Sequence, residues 1–305
     1  MNQKIVLLID FNNLVFCSHY TSPQLNRYGE QVNTIKNFFY KLRNLKDIFN
    51  PDHIIFASDL GRAKTFRRKL YSLYKAQRKP LDETIAKQMS IIQQLISLLG
   101  FPVYNNEQYE ADDIIGMISK YCEENNYQVI IISSDRDLYQ LVSEKVFIMS
   151  PKIHDTIIDE TWIFENYRLT PNQWIDLKIL QGDKSDNIPG VPGVGEVTAL
   201  NLIKTFGSVD EVYNNLSKIV EKVRKLLIES EKDIPITREL VTIIRDYNII
   251  EFNEDKLKRD KIYVDEIYKL LLEHDIMALK DVFNYSLFIW KNKLEYHYLD
   301  ILIYF

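Results

Sequence analysis

Nine acidic side chains stand where solubility does not explain them: Asp10, Asp59, Glu110, Asp112, Asp113, Asp135, Asp137, Asp183 and Asp186. Asp10 ends the unbroken apolar run 5–9, Asp59 follows the run 54–57, and Asp135 and Asp137 follow the run 129–132. Glu110 and Asp113 are three apart at the start of a helical pattern and share a face, with Asp112 displaced around the turn. Any one of these acids alone reads as a helix cap or a solvated turn. The set does not, because strand-terminal carboxylates projecting to one sheet edge repel one another without a counter-charge. The counter-charge that suits many carboxylates without His or Cys is a hard divalent cation, Mg²⁺ or Mn²⁺, keeping some water and a substrate phosphate. Two such ions about 4 Å apart are an arrangement that hydrolyses phosphodiesters. Glycoside hydrolysis also uses paired acids, but it needs two carboxyls and no metal, so nine are too many. The five histidines, His19, His53, His154, His274 and His297, show no HxxxH or HExxH spacing and read as ordinary core or surface residues.

The elements that must position these acids are legible in outline. Short β-branched and Leu runs of this kind are strands buried on both faces. Between them lie helical patterns over 32–49, 84–99 and 111–125, and 101–104 reads as a shorter strand. Alternating strands and helices predict an α/β fold on a parallel sheet, whose carboxyl edge is where ligands bind. From about residue 170 the texture changes to a turn-rich stretch, 181–195, and then to mostly helical sequence.

Two further segments bear on a phosphate-bearing partner. Residues 61–80 hold eight basic and no acidic residues, with Phe66, Tyr71 and Tyr74 interleaved. A charge run is commonly a solvated face; mixed with aromatics beside a metal ligand, it suits the backbone and bases of single-stranded nucleic acid. The stretch from Gly190 through Gly193, Val194 and Gly195 reads as a tight turn opening a helix, able to hold a phosphate on exposed N–H groups. It lacks the Lys-Ser/Thr ending of a nucleotide P-loop.

Composition sets the bounds. With 305 residues, 46% of them apolar, the chain can bury one large or two ordinary cores. A charged fraction of 27%, nine Gly and nine Pro match neither a disordered nor a collagenous chain. Cys17 and Cys122 make neither a disulfide framework nor a four-ligand zinc site. No apolar run reaches membrane-span length, and the run 5–9 is stopped by Asp10 before it could serve as a signal-peptide core. A soluble, cytoplasmic monomer with no membrane partner is expected. The net charge of −5 argues against a polyanionic partner only until the nine acids are set aside as metal ligands; the remainder is mildly basic.

Together the motifs resemble the structure-specific 5′ nuclease superfamily: the 5′→3′ exonuclease domain of DNA polymerase I, phage 5′ exonucleases and flap endonucleases. The resemblance covers roughly residues 4–285. It is carried by Ile9-Asp10, Asp59-Leu60-Gly61 through Tyr74-Lys75-Ala76-Gln77-Arg78, Tyr109-Glu110-Ala111-Asp112-Asp113, Ser134-Asp135-Arg136-Asp137, Gly182-Asp183-Lys184-Ser185-Asp186-Asn187 and Gly193-Val194-Gly195, in the family's order. It implies a PIN-like α/β catalytic domain over 1–170 with a helical arch at about 62–82. It also implies a helical domain over 171–285 with a helix-three-turn-helix DNA-binding element at about 181–206. The aromatic tail 286–305 has no counterpart.

By the same resemblance all nine acids stand at positions of a two-metal cluster, with Asp10 and Asp113 among the catalytic groups. Lys75 and Arg78 fall where arch cations reach the scissile phosphate, and Arg67 and Arg68 fall in the substrate-contacting stretch. Tyr74 lies where an aromatic stacks on the nucleotide. Gly190, Gly193, Val194 and Gly195 correspond to the turn that grips duplex DNA, often with a K⁺ ion. Phe11 stands where the family commonly has Gly. The implied activity is Mg²⁺-dependent 5′→3′ exonuclease and 5′-flap endonuclease cleavage of DNA at flaps, nicks, gaps or RNA primers in replication or repair, by a free-standing nuclease of the phage or bacterial type. A single-strand-binding protein or sliding clamp is the kind of protein partner it implies. Two rival readings are a PIN-type ribonuclease and a catalytically silent DNA-junction binder.

Overall fold

The run Ile-Val-Leu-Leu-Ile-Asp forms β1 (Ile5–Asp10), a central strand paired with a neighbour on each side and buried from Val6 onward. The computed structural model describes residues 3–19, 23–60, 64–151 and 156–283; His154, His297, the start of the basic segment at 61–63 and the tail 286–305 lie outside them. The other strands are β2 (His53–Ala57), β3 (Val103–Tyr104), β4 (Gln128–Ile132), β5 (Val146–Met149) and β6 (Ile157–Ile158), in the order β3-β2-β1-β4-β5-β6. All neighbours run parallel except β5 and β6. The strand expected over 101–104 is limited to two residues, since Pro102 has no N–H to give a ladder. The register pairs Asp10 with Ala57 and Ile9 with Ile132, so the segments leaving β1, β2 and β4 emerge side by side at one edge.

The helices in chain order are α1 (Phe11–His19), α2 (Asn33–Phe49), α3 (Phe66–Leu70), α4 (Glu83–Leu98), α5 (Ala111–Glu124), α6 (Glu160–Tyr167), α7 (Gln173–Gln181), α8 (Glu196–Phe206), α9 (Val209–Asn214), α10 (Glu221–Ser230), α11 (Ile234–Val241) and α12 (Val264–Glu273). None of the described helices is long and apolar enough to cross a membrane. The chain resolves into two compact units, one of Met1–Leu14, Asp52–Pro80 and Val103–Leu257, the other of Val15–Pro51, Leu81–Pro102 and Lys258–Phe305. In the second, α4 packs with α2 and with α12, and Phe39 meets Phe283 edge to face at 4.9 Å.

The first unit contains the whole sheet and α5 to α11. Trp174 on α7 is fully buried with its ring 4.8 Å from Tyr139 and 4.9 Å from Tyr167, which carries one apolar core across residue 170. The segment expected as a helical arch, about 62–82, is helical over only part of its described length. Within 64–80 only the five-residue α3 is helical; Thr65 caps it by accepting from the Arg68 N–H, and turns follow over 72–77. Lys75 takes a left-handed backbone, φ 52°, which a continuing right-handed helix does not allow.

Candidate metal centre and nucleic-acid interface

Asp10 is the last residue of β1 and only 6% exposed. Its carboxylate accepts from the Asn13 N–H at 3.0 Å and the Ser133 hydroxyl at 2.8 Å, so the start of α1 and the end of β4 both hold it. Burial, with smaller contributions from Asp59 and Asp135, pushes it up to about 7. Asp59, two residues past β2, accepts from the Ala111 N–H at 2.8 Å and from Asn12 at 3.4 Å. Asp112, in the first turn of α5, is raised well above the carboxylate range by burial and by Asp135 and Asp10. Asp135 caps the 3-10 turn that opens with Arg136, accepting from the Asp137 N–H at 2.9 Å. Among the described residues no Lys or Arg forms an ion pair with these four acids. Phe11, at the family's glycine position, is buried with its ring 6.5 Å from Phe56, so it packs into the core beneath the site.

A second group of acids is matched by cations. Lys75 Nζ lies 2.9 Å from Glu110 and 3.5 Å from Asp186, Arg78 pairs with Asp186, and the Lys75 N–H donates to the Asp186 carbonyl at 2.8 Å. The turns after α3 are thus laid directly on the carboxylates. Lys178, 7% exposed on α7, contacts both Asp137, at 2.6 Å, and Asp183. Burial lifts Asp137 to about 7, with Asp135 adding to the rise and Lys178 opposing it. Burial acts upward on Asp183 too, but Lys178 and the Ser185 and Asp186 donors hold it below the usual range.

Three expected site residues have a different place. Asp113 is fully buried, and each of its oxygens has two donors: Arg67 at 2.8 Å and the Ile244 N–H at 3.0 Å on one, Arg67 at 2.6 Å and the Glu110 N–H at 3.1 Å on the other. No lone pair is left for a metal. Arg67, 3% exposed, gives its remaining donors to the carbonyls of Leu240, at 2.8 Å, and Thr242, at 2.9 Å, so its charge is used inside the fold. Tyr74 is 3% exposed; its hydroxyl donates to Glu110 at 2.7 Å with Asp186 3.2 Å away, so the ring is buried and the hydroxyl braces the two acids. Arg68 is half-buried and ties the turn by donating to the Tyr74 carbonyl at 2.6 Å.

In the turn between α7 and α8, Gly193 and Gly195 are exposed whereas Gly190 and Val194 are buried. Gly190 has φ +59°, and a Cβ there would meet the Gly182 nitrogen at 2.2 Å, so two backbone segments touch where a side chain cannot fit. Gly190→Ala is expected to cost about 2 kcal/mol or more, from left-handed strain plus the clash. Urea denaturation checks this, and a wild-type midpoint would show that the turn can yield.

Sequence reasoning did not find Lys178, Asn12, Asn13 or Ser133. A cation inside the apolar run Leu177-Lys178-Ile179-Leu180 was the available signal for the first. The donor chemistry fits a hard divalent cation, since the cluster offers carboxylate oxygens and two of its acids, Asp10 and Asp112, are raised by burial and by neighbouring acids. As the side chains stand, no three acidic, His or Cys groups among the described residues are gathered closely enough to hold an ion; Lys75, Arg78 and Lys178 take up much of the negative charge instead.

Two family models match the chain: the 5′-3′ exonuclease N-terminal resolvase-like domain over residues 5–168 and the 5′-3′ exonuclease C-terminal SAM fold over 169–265. The chain is 37% identical over 245 residues to the thermostable DNA polymerase I of Thermus thermophilus, a match covering 79% of this chain and 29% of the relative. It is 36% identical over 249 residues to the DNA polymerase I of Bacillus subtilis, covering 80% of this chain and 28% of the relative. The chain therefore spans under a third of the length of these relatives. A structure of the bacteriophage T5 D15 flap endonuclease, a pseudo-enzyme-product complex with DNA and metal ions, shares the fold at TM-score 0.66 and 22% identity, covering 89% of this chain and all of that one.

Proposed function

Because this chain belongs to the 5′-3′ exonuclease family, we propose that it is a divalent-metal-dependent 5′ nuclease acting on branched or gapped DNA, with exonuclease and 5′-flap endonuclease cleavage at one site. The observation that carries the reading is the placement of basic residues Lys75 and Arg78 directly on acids that flank the carboxyl edge of a parallel sheet. Asp10, Asp59, Asp112 and Asp135 form the half without ion-paired cations among the described residues and would hold one Mg²⁺; Glu110, Asp137, Asp183 and Asp186 form the other half. When bound, ions of this class activate water and offset charge on a phosphodiester, and Mn²⁺ has the same donor preference.

The chain's own residues do the rest. Ser133 and the Asn13 N–H fix the Asp10 carboxylate, and Tyr74 fixes Glu110 against Asp186. Lys75 and Arg78 exchange their carboxylate partners for the phosphate being cut and stabilise its charge as it develops. The exposed backbone around Gly193 and Gly195 at the start of α8 holds a phosphate without reading sequence. Terminal nucleotides must unpair to reach the acids, which costs least at a free end or junction. Removal of RNA primers and flaps during replication is the role this chemistry suits.

The test is a 3′-labelled 5′-flap duplex incubated with Mg²⁺ or with EDTA and read at nucleotide resolution. Cuts within a nucleotide or so of the junction, absent in EDTA, are expected; a mobility shift with intact substrate would make the protein a junction binder. In the same assay Lys75→Ala should cleave about 10²-fold more slowly while its affinity for the flap falls less than about fivefold. Loss of binding in step with cleavage would place Lys75 in ground-state affinity only.

A further inference from the structure

We propose that Lys178 is a built-in counter-ion that sets how tightly the Asp137–Asp183 half of the cluster takes a divalent ion, giving the cluster one tight and one weak metal site. The proposal rests on the metal-dependent reading above and concerns a residue that reading does not require. Lys178 lies on α7 between Leu177, Ile179 and Leu180, all fully buried, with its own side chain 9% exposed. An ammonium in such surroundings is stable only when paired. Its partners come from two separate elements, Asp137 from the 3-10 turn after β4 and Asp183 from the turn after α7. Lys178 therefore fixes their mutual position before any ion arrives.

The two halves of the cluster differ because of this. Among the described residues, Asp10, Asp59, Asp112 and Asp135 form no ion pair with a cation, and Lys75 and Arg78 act on Asp59 and Asp112 only from beyond contact, so an entering divalent ion there finds no ammonium or guanidinium on its ligand oxygens. At Asp137 and Asp183 the same ion meets oxygens already shared with a positive charge, and like charges this close repel strongly where water is scarce. Lys75 and Arg78 are different again: they sit on a turn segment and not on a core helix, and Arg78, 37% exposed, can swing to a phosphate. Lys178 is anchored by a core helix and stays. The consequence is sequential filling, with the second ion entering at higher metal concentration.

The experiment is calorimetric titration of Mn²⁺ into the metal-free full chain, for the wild type, Lys178→Met and Lys178→Arg. The wild type should show two affinity classes at least about tenfold apart. In Lys178→Met the weak class should tighten about tenfold with the tight class moving less than twofold, and Lys178→Arg should restore the wild-type isotherm. An unchanged isotherm in Lys178→Met, or a weak class that weakens further, would overturn the proposal and leave Lys178 a structural brace. If Lys178→Met does not fold, the ammonium resonance of Lys178 in the wild type, assigned by its loss in Lys178→Arg, decides. Movement with the second equivalent of metal supports the proposal; movement with the first, or none, overturns it. A wild type that takes up no Mn²⁺ at all would instead sink the metal-dependent reading, and the proposal with it.

Discussion

Asp10→Asn is expected to slow flap cleavage by at least about 10³-fold and yet to raise the melting temperature of the metal-free protein at pH 8. Asn has the same shape and keeps an acceptor for the Asn13 N–H, so the local fold survives; what disappears is the charge. In the metal-free chain that charge is a burden, because burial beside Asp59 and Asp135 raises Asp10 from 3.8 to about 7. An acid whose folded value is raised favours folding fully below its unfolded value, and that contribution is lost as pH rises through the folded value. The metal-free wild type should therefore melt at falling temperature between about pH 4 and pH 7 and stay low at pH 8. The variant lacks this loss, a difference of about 1–3 kcal/mol. Mg²⁺ should raise the melting temperature of the wild type more than that of the variant, since only an ion that binds the folded state stabilises it. Thermal melts at pH 5.5 and 8, with EDTA and with Mg²⁺, alongside the flap assay, read all of this. A variant that cleaves within tenfold of wild type, or melts lower in EDTA at pH 8, would remove Asp10 from the proposed metal centre.

The sheet and its acidic edge were legible because they depend on local pattern. Unbroken runs such as Ile5 to Ile9 have one stable environment, a strand covered on both faces, and the residue that ends the run must emerge at the strand's end. The arch and the turn after α7 were less legible, because a residue's type does not say which way it faces. Arg67 and Tyr74 sit among solvent-facing cations in a basic segment, and only contacts with Asp113, 46 residues away, and with Glu110 and Asp186, 36 and 112 residues away, turn them inward. Gly190 and Val194 likewise look like their neighbours Gly193 and Gly195 but serve the turn's own packing. Lys178 was hidden by the same ambiguity: a lysine in an apolar run can be a surface residue on a helix flank or a buried counter-ion, and the acids that decide between these come from elsewhere in the fold.

Arg67→Met should destabilise the protein by about 3–5 kcal/mol, the cost of leaving a buried partner charge uncompensated. The guanidinium fork meets both oxygens of Asp113 and closes on the carbonyls of Leu240 and Thr242, so one side chain joins the arch, the first turn of α5 and the end of α11. Asp113 in turn receives the Glu110 N–H in the capping box of α5, which links the pair to an acid of the proposed metal centre. Arg67→Lys keeps the charge but not the fork and should lose about half as much stability. The double variant Arg67→Met/Asp113→Leu should recover a substantial part of the single variant's loss, because it removes the orphaned carboxylate while keeping volume. Urea denaturation measures each, and flap binding by Arg67→Lys, at a temperature where it is folded, should stay within about threefold of wild type. An Arg67→Met protein as stable as wild type but binding DNA at least tenfold more weakly would return Arg67 to the DNA interface, and Asp113 would then be free to serve the metals.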